Sequence, residues 1–278
     1  MKATAESPAH ITGFFRIYRD GSTGAGINLA HGMKTTVELS AKDSFSLNGR
    51  EKKDLVVSKE AVRLYRKKTG KKFRVRVLHE TKFPIGYGLG ISGAGALSLA
   101  LALDRLMKTN LGKKGVLEIA KRAEINCGTG LGDVVAEQYA GFIMGRKPFP
   151  SRSAEILQCA EKHVVLGFYG PISTKKIIRS VKWKEKINRA GAYCMREMGG
   201  GKSMKKFVEL ARFFSLETGL ATARIKKALE KIPDAGMAML GETVFIPANR
   251  PEKSMKELKK YCKKTFVASI AKRGARVL

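Results

Sequence analysis

Acidic residues are scarce in this chain. Against 54 Lys and Arg it carries 24 Asp and Glu over 278 residues, a formal charge of +30. A thermophile-style ion-pair surface raises Glu together with Lys, so the imbalance does not fit one. No arginine-glycine tract, RNA-binding aromatic motif or zinc finger accompanies the charge. The charge reads in two ways: a nucleic-acid or anionic-lipid surface, or a solvated basic surface on a protein that handles small anions. Cysteine is also sparse. Cys127, Cys159, Cys194 and Cys262 lie far apart with no C-x-x-C pair. That spacing excludes a zinc ribbon and a disulfide framework, and it predicts free thiols in a reducing compartment. The longest apolar run, around 94–103, is roughly half of what a membrane span needs. The first twenty residues hold no apolar stretch of signal-peptide length. These absences predict a cytoplasmic protein with no membrane partner.

The length suits two domains of ordinary size, and the apolar share of 44% is globular. The polar, proline-bearing "GRKPFPSRS" (Gly145–Ser153) predicts a boundary near residue 150, with domains at 1–150 and 151–278. Alternation in "FRVRVLHETKF" predicts a strand. Gly93–Met107 reads as a buried helix, and Gly115–Asn126 as an amphipathic one through Val116, Ile119, Ala120 and Ala123. A glycine-rich turn, a short helix and a strand follow. Beyond the boundary the pattern predicts a strand at "HVVLGFYG", two or three helices, a hairpin at "AGMAMLGETVFIP", and a closing helix with a short strand. Nothing repeats at a fixed period. The class is α+β.

The densest chemical signal is "FPIGYGLGISGAGALSLALALDRL" (Phe83–Leu106), where glycines crowd directly against good helix formers. The first N–H groups of a helix lack internal partners and carry the positive end of its dipole. Glycines ahead of them let backbone wrap an anion closely. Ser92 stands where loop meets helix, so its hydroxyl can cap, contact phosphate or bind Mg²⁺. The stretch therefore reads as a phosphate grip. Gly88–Gly93 matches G-x-G-x-x-G, but a dinucleotide fold needs an acid about twenty residues on, and "MKTNLGKKG" lacks it. "GGGKS" (Gly199–Ser203) has Arg196 where a P-loop needs glycine and follows a helix. It reads as a helix end and loop.

"P-x-x-x-G-L-G-x-S-G-A", from Pro84 to Ala94, resembles the phosphate-binding motif of the GHMP kinases, with Ile91 in place of the first of two usual serines and Ser92 as the second. "SPAHITGFF" (Ser7–Phe15) resembles the first motif of that superfamily, with His10 in the basic position. "GLGDVVAEQYAG" resembles the catalytic segment, with Gly141 eight residues after Asp133. "DAGMAMLGETVFI" resembles an eroded third motif that keeps Gly236 and Gly241. Together with "STGAGINLAHGMKTTV", these segments resemble the archaeal pantoate kinase branch.

The resemblance implies a two-domain GHMP kinase fold: an N-terminal ribosomal protein S5 domain 2-like ATP-binding domain and a C-terminal α+β sandwich, with the site in the cleft between them. It implies ATP-dependent transfer to the 4-hydroxyl of (R)-pantoate on the route to coenzyme A, with another GHMP acceptor (shikimate, homoserine, a mevalonate-pathway alcohol) as the rival and a basic RNA-binding protein as the distant one. Implied ATP-binding residues are Pro84, Gly86, Gly88, Leu89, Gly90, Ser92, Gly93, Ala94 and Gly95. Mg²⁺ would be held by Ser92 and Glu124, the latter otherwise a solvent-facing helix glutamate. Asp133 would accept the hydroxyl proton, and it also reads as a helix N-cap. His10, Thr12, Ser22, Thr23, Asn28 and His31 would bind the acceptor, although "GSTGAG" also reads as an ordinary turn. His79 and His163 read as structural, and Trp183 with Phe213 and Phe214 as core or interface. The expected partners are ATP and a small hydroxy acid, with a homodimer, and with nucleic acid left open by the charge.

Overall fold

The computed structural model describes residues 1–19, 21–148 and 153–278. Two long strands, β1 (Lys2–Ile17) and β2 (Ser22–Leu39), open the chain as an antiparallel pair. Their middles are buried almost continuously, the pattern of strands covered on both faces. Then follow β3 (Ser44–Leu47), β4 (Arg50–Glu51), α1 (Val56–Thr69), β5 (Val75–Glu80), α2 (Ile91–Met107), α3 (Gly112–Cys127), α4 (Asp133–Ala136), β6 (Phe142–Lys147) and β7 (Ser153–Leu157). The second half carries β8 (His163–Pro171), α5 (Thr174–Ile178), α6 (Val181–Gly200), α7 (Met204–Glu217), α8 (Ala223–Lys231), β9 (Gly236–Ala238), β10 (Gly241–Ala248), α9 (Pro251–Leu258), β11 (Lys264–Ser269) and β12 (Arg276–Val277).

The first sheet runs β12-β1-β2-β5-β3-β4, and β6 pairs with β2 and β7. On one edge of β2, β5 takes Lys34–Leu39 and β6 takes Gly24–Ile27. The gap between those partners receives the α4 segment, whose Ala136, Tyr139 and Gly141 carbonyls accept from Asn28 of β2. The stretch "GSTGAG" is strand rather than turn. Gly24 and Gly26 are needed there because a Cβ on either would collide with a carbonyl oxygen of β1, that of Phe14 or Ile11. The second sheet, β11-β8-β10-β9, is antiparallel throughout.

One core packs α1, α2 and α3 on the first sheet through Tyr65, Val75, Val77, Leu99, Leu103 and Leu117. The other lies between that sheet and the second half. Phe207 of α7 is its hub, with ring centroids 6.0 Å from Phe14, 5.1 Å from Phe142 and 5.7 Å from Phe245. Phe214 is buried in it, Trp183 packs on its edge, and Phe213 faces out against Tyr193. His79 is buried among the hydroxyls of Thr35 and Ser58, and burial pushes its pKa down to about 4. It is a neutral structural residue. Gly199–Ser203 closes α6 and opens α7, where Ser203 accepts from Lys206 N.

Of the expected boundary, residues 149–152 lie outside the described residues. β6 before it and β7 after it pair in the first sheet, and β12 returns to β1. No helix among the described residues is long and apolar enough to cross a membrane.

Candidate active site

The glycine loop performs three left-handed turns, at Gly86 (φ 85°), Gly88 (φ 78°) and Gly90 (φ 63°). Side chains other than glycine rarely adopt this region. Gly90 is the N-cap of α2, and Ala94 N closes the first helical bond onto its carbonyl. The N–H groups of the first turn are thus left for a ligand. Ser92 caps nothing; its hydroxyl is taken by Glu124. The loop is backed by the β9–β10 hairpin. A Cβ on Gly241 would collide with Tyr87 and Gly88 backbone, Thr243 Oγ1 donates to Tyr87 O at 2.7 Å, and Met239 N donates to Thr12 O at 2.9 Å. That contact is why the eroded third motif keeps Gly241. Leu89 is buried, and its carbonyl accepts from His10 N at 3.0 Å. Ala94 is buried in the core, while Pro84 and Gly95 line the outer part of the cleft.

Three acids gather beneath the start of α2. Glu124 is 1% exposed, so it is not a solvent-facing glutamate. It accepts from Ser92 Oγ at 2.5 Å and Thr129 Oγ1 at 2.8 Å. Burial pushes its carboxyl up to about 7, and Asp133 adds to the shift, against the opposing hydrogen bonds and the Lys121 charge. A Cβ on Gly130 would collide with Glu124 Oε2, so the missing side chain keeps that oxygen approachable. Asp133 is half-buried at the first residue of α4. The N-cap is Gly132, and no side chain caps the helix, so the capping role expected of Asp133 is not realised. Its Oδ1 instead accepts from Thr12 Oγ1 at 3.3 Å. Glu137, one turn on, is fully buried.

Three cavities run end to end through these groups. The outer one, about 680 Å³, passes between Leu55–Ser58 and Pro84–Gly86 to Thr174 and Lys175. It shares Gly86, Ile91, Ser92, Thr129 and Thr174 with the central cavity, which holds Glu124, Asp133 and Thr12. The central cavity shares Thr12, Ser22 and Gly132 with an inner pocket that adds His10, Thr23 and Lys147. The arrangement can hold a long anion over α2 and present a second molecule to Asp133.

His10 is not a standing cation. Asn28 spends both amide hydrogens on Ala136 O and Tyr139 O, at 2.8 Å each, so its Oδ1 accepts from His10 Nδ1 at 2.8 Å. Burial lowers the histidine pKa, against the nearby Asp133 charge. Neutral His10 therefore offers Nε2 as an acceptor. Asn28 itself is fully used; it holds the α4 segment in the gap of β2 and has no group left for a ligand. His31 does not join the others. It sits at φ 61° in the irregular stretch of β2 opposite Ser7–Ala9, exposed, on a separate groove with Lys34, Lys82 and Arg273.

The GHMP kinases N terminal domain profile matches residues 55–141, from the start of α1 to the end of the Asp133 segment. The pantoate kinase of Methanocaldococcus jannaschii is 33% identical over 249 residues, which cover 86% of this chain and 90% of that protein. The chain belongs to the GHMP kinases. The pantoate kinase of Methanospirillum hungatei is 27% identical, over 95% of this chain and 94% of its own. A solved phosphotransferase related to the CoA biosynthesis pathway superposes with a TM-score of 0.87 at 24% identity, covering 100% and 99% of the two chains.

As a GHMP kinase, the chain places three further residues beside the candidate site that the motifs did not reveal. Thr129 is a second hydroxyl on Glu124, and only its place beside the glycine turn could have marked it. Lys147 lies in a stretch read as linker, yet lines the inner pocket of the kinase. Glu137 is four residues after Asp133, the i,i+4 spacing of one helix face, which is the sequence signal that places it beneath the same turn.

Proposed function

We propose that this kinase transfers the γ-phosphoryl group of ATP to the 4-hydroxyl of (R)-pantoate, giving 4-phosphopantoate and ADP. The observation that carries the proposal is the end-to-end run of cavities that places Ser92 with Glu124 on one side of the α2 N-terminus and Thr12 with Asp133 on the other. Relatives named pantoate kinase over most of their length support the acceptor.

The nucleoside lies in the outer cavity, and its phosphates cross to the central one under the Gly86–Gly90 turns, where free N–H groups and the helix dipole meet negative charge. The acceptor enters the inner pocket. Lys147 meets its carboxylate, and His10 Nε2 with the Ser22 and Thr23 hydroxyls takes its polar groups. Thr12 holds one carboxylate oxygen of Asp133 by hydrogen bond, leaving the other to take the proton of the reacting hydroxyl as its oxygen bonds to phosphorus. The residues fit Mg²⁺. A buried carboxyl with two hydroxyl neighbours and an open oxygen is the hard-donor set this ion takes beside phosphates. Ser92 and Glu124 would hold it. When bound, the ion neutralises phosphate charge. Among the described residues no three His, Cys, Asp or Glu side chains form a metal cluster by themselves.

The test is ADP release from ATP and Mg²⁺ with pantoate, shikimate, homoserine or mevalonate as acceptor. Turnover with pantoate alone is expected. Turnover with another acceptor would leave the kinase and overturn the substrate.

A further inference from the structure

Glu137 is a buried acid with nothing to hold it. It is 0% exposed, and neither carboxyl oxygen has a hydrogen-bond partner among the described residues. A buried polar group without a partner is costly enough to need an explanation. Its position supplies one. A Cβ on Gly90 would stand 2.7 Å from Glu137 Oε1, and one on Gly93 would stand 3.2 Å from Oε2. The carboxyl therefore lies against the first turn of α2, filling the space that the two glycines leave open. The ionisable groups facing it are Asp133 from its own helix, Glu124 from α3 and His10 from β1. The first turn of α2 contributes only glycine backbone, and the segment before β12 contributes Ala275 N, which bonds the Glu137 carbonyl at 2.9 Å. No Lys or Arg pairs with it among the described residues. Burial first, then Asp133 and Glu124, push the carboxyl well above the usual range.

We propose that Glu137 is a positioning residue that works as an uncharged acid, propping the Gly90–Gly93 turn from below and leaving Asp133 the one charged group of α4. The proposal deepens the kinase reading and rests on it. Three carboxyls surround the point where the ATP phosphates arrive. Glu124 is matched by hydroxyls and by the metal it would share, and Asp133 needs its charge to take a proton. A third charge, one turn from Asp133, would repel the phosphates and make Asp133 a different base. A neutral acid supplies the bulk and polarity without the charge.

The test compares native protein with Glu137→Gln, the uncharged isostere. MgATP affinity is measured by calorimetry, without acceptor, from about pH 6 to about pH 9.5, and kcat with pantoate is measured alongside. The Gln variant, which cannot ionise, should bind MgATP within about threefold of native protein at the acid end of the range, where burial favours the neutral carboxyl. At the alkaline end the native protein should lose affinity by about tenfold more than the variant, because only it acquires the extra charge. A folded Gln variant that loses kcat about a hundredfold at every pH would overturn the proposal, since ionised Glu137 would then be required. Identical alkaline limbs would overturn it as well. If the Gln variant does not fold, Glu137→Met gives the same comparison: retained affinity supports the prop, and lost affinity overturns it. Native protein that binds MgATP but does not turn over pantoate overturns the acceptor and leaves the affinity comparison to decide Glu137. Failure of native protein to bind MgATP overturns both.

Discussion

Replacing Glu124 by Gln should make the metal-free protein more stable and the enzyme inactive. Glu124 is buried, and its pKa rises from 4.5 to about 7 in the folded protein. The native state therefore holds a proton that the unfolded chain releases above its own pKa. Stability falls as pH rises from there, and levels off above the folded value. Raising the carboxyl from 4.5 to about 7 costs about 3 kcal/mol of stability at pH 8 and under about 1 kcal/mol at pH 5. A glutamine keeps an oxygen for Ser92 and Thr129 and carries no proton equilibrium. Urea unfolding of both proteins in chelator at the two pH values reads the difference directly. The variant should gain roughly 2–3 kcal/mol on native protein between pH 5 and pH 8, a relative rise of roughly 5–10 °C in Tm. Saturating MgATP should narrow that gap, because only native Glu124 can serve the ion. Parallel pH dependence in the two proteins would refute the reasoning, and so would a Gln variant that retains Mg²⁺-dependent turnover.

Asp133→Asn should lower kcat by about 10²-fold or more while MgATP affinity stays within a fewfold, as read by steady-state kinetics beside calorimetry. Lys147→Ala should raise KM for pantoate about tenfold, by loss of a charge-assisted contact, with KM for ATP unchanged. Gly241→Ala should force the Tyr87–Gly88 backbone to move and destabilise by roughly 1–3 kcal/mol, with KM for ATP raised as well. A normal thermal melt with unchanged nucleotide kinetics would contradict the hairpin's role as the backing of the loop.

Local signals carried the parts of this molecule whose chemistry is local. Helices α2 and α3 follow from their composition and period, and the glycine loop from the steric demand that produces three positive φ angles. Ser92 and Glu124, 32 residues apart in the sequence, meet through a hydrogen bond. What stayed hidden depends on strand register. The 16 and 18 residues of β1 and β2 lack clean alternation because both faces are covered, so "GSTGAG" looked like a turn. Asn28 resembled a binding residue until the gap in β2 gave it three partners. His31 lies three residues further along the same strand, and a local irregularity turns it to another groove. Lys147 could not be placed from sequence, because nothing near it shows that β6 runs beside the inner pocket. The +30 charge has no explanation in the site.

The central claim is that this chain brings a hydroxyl of pantoate to the γ-phosphate of ATP beside Asp133. Phosphorus NMR of a reaction holding only the protein, ATP, Mg²⁺ and (R)-pantoate tests it most directly. A new phosphomonoester coupled to the C4 protons, rising with ADP and absent with Asp133→Asn, is the predicted result. ADP with free phosphate and no ester, or an ester formed as fast by the Asn variant, would contradict the account.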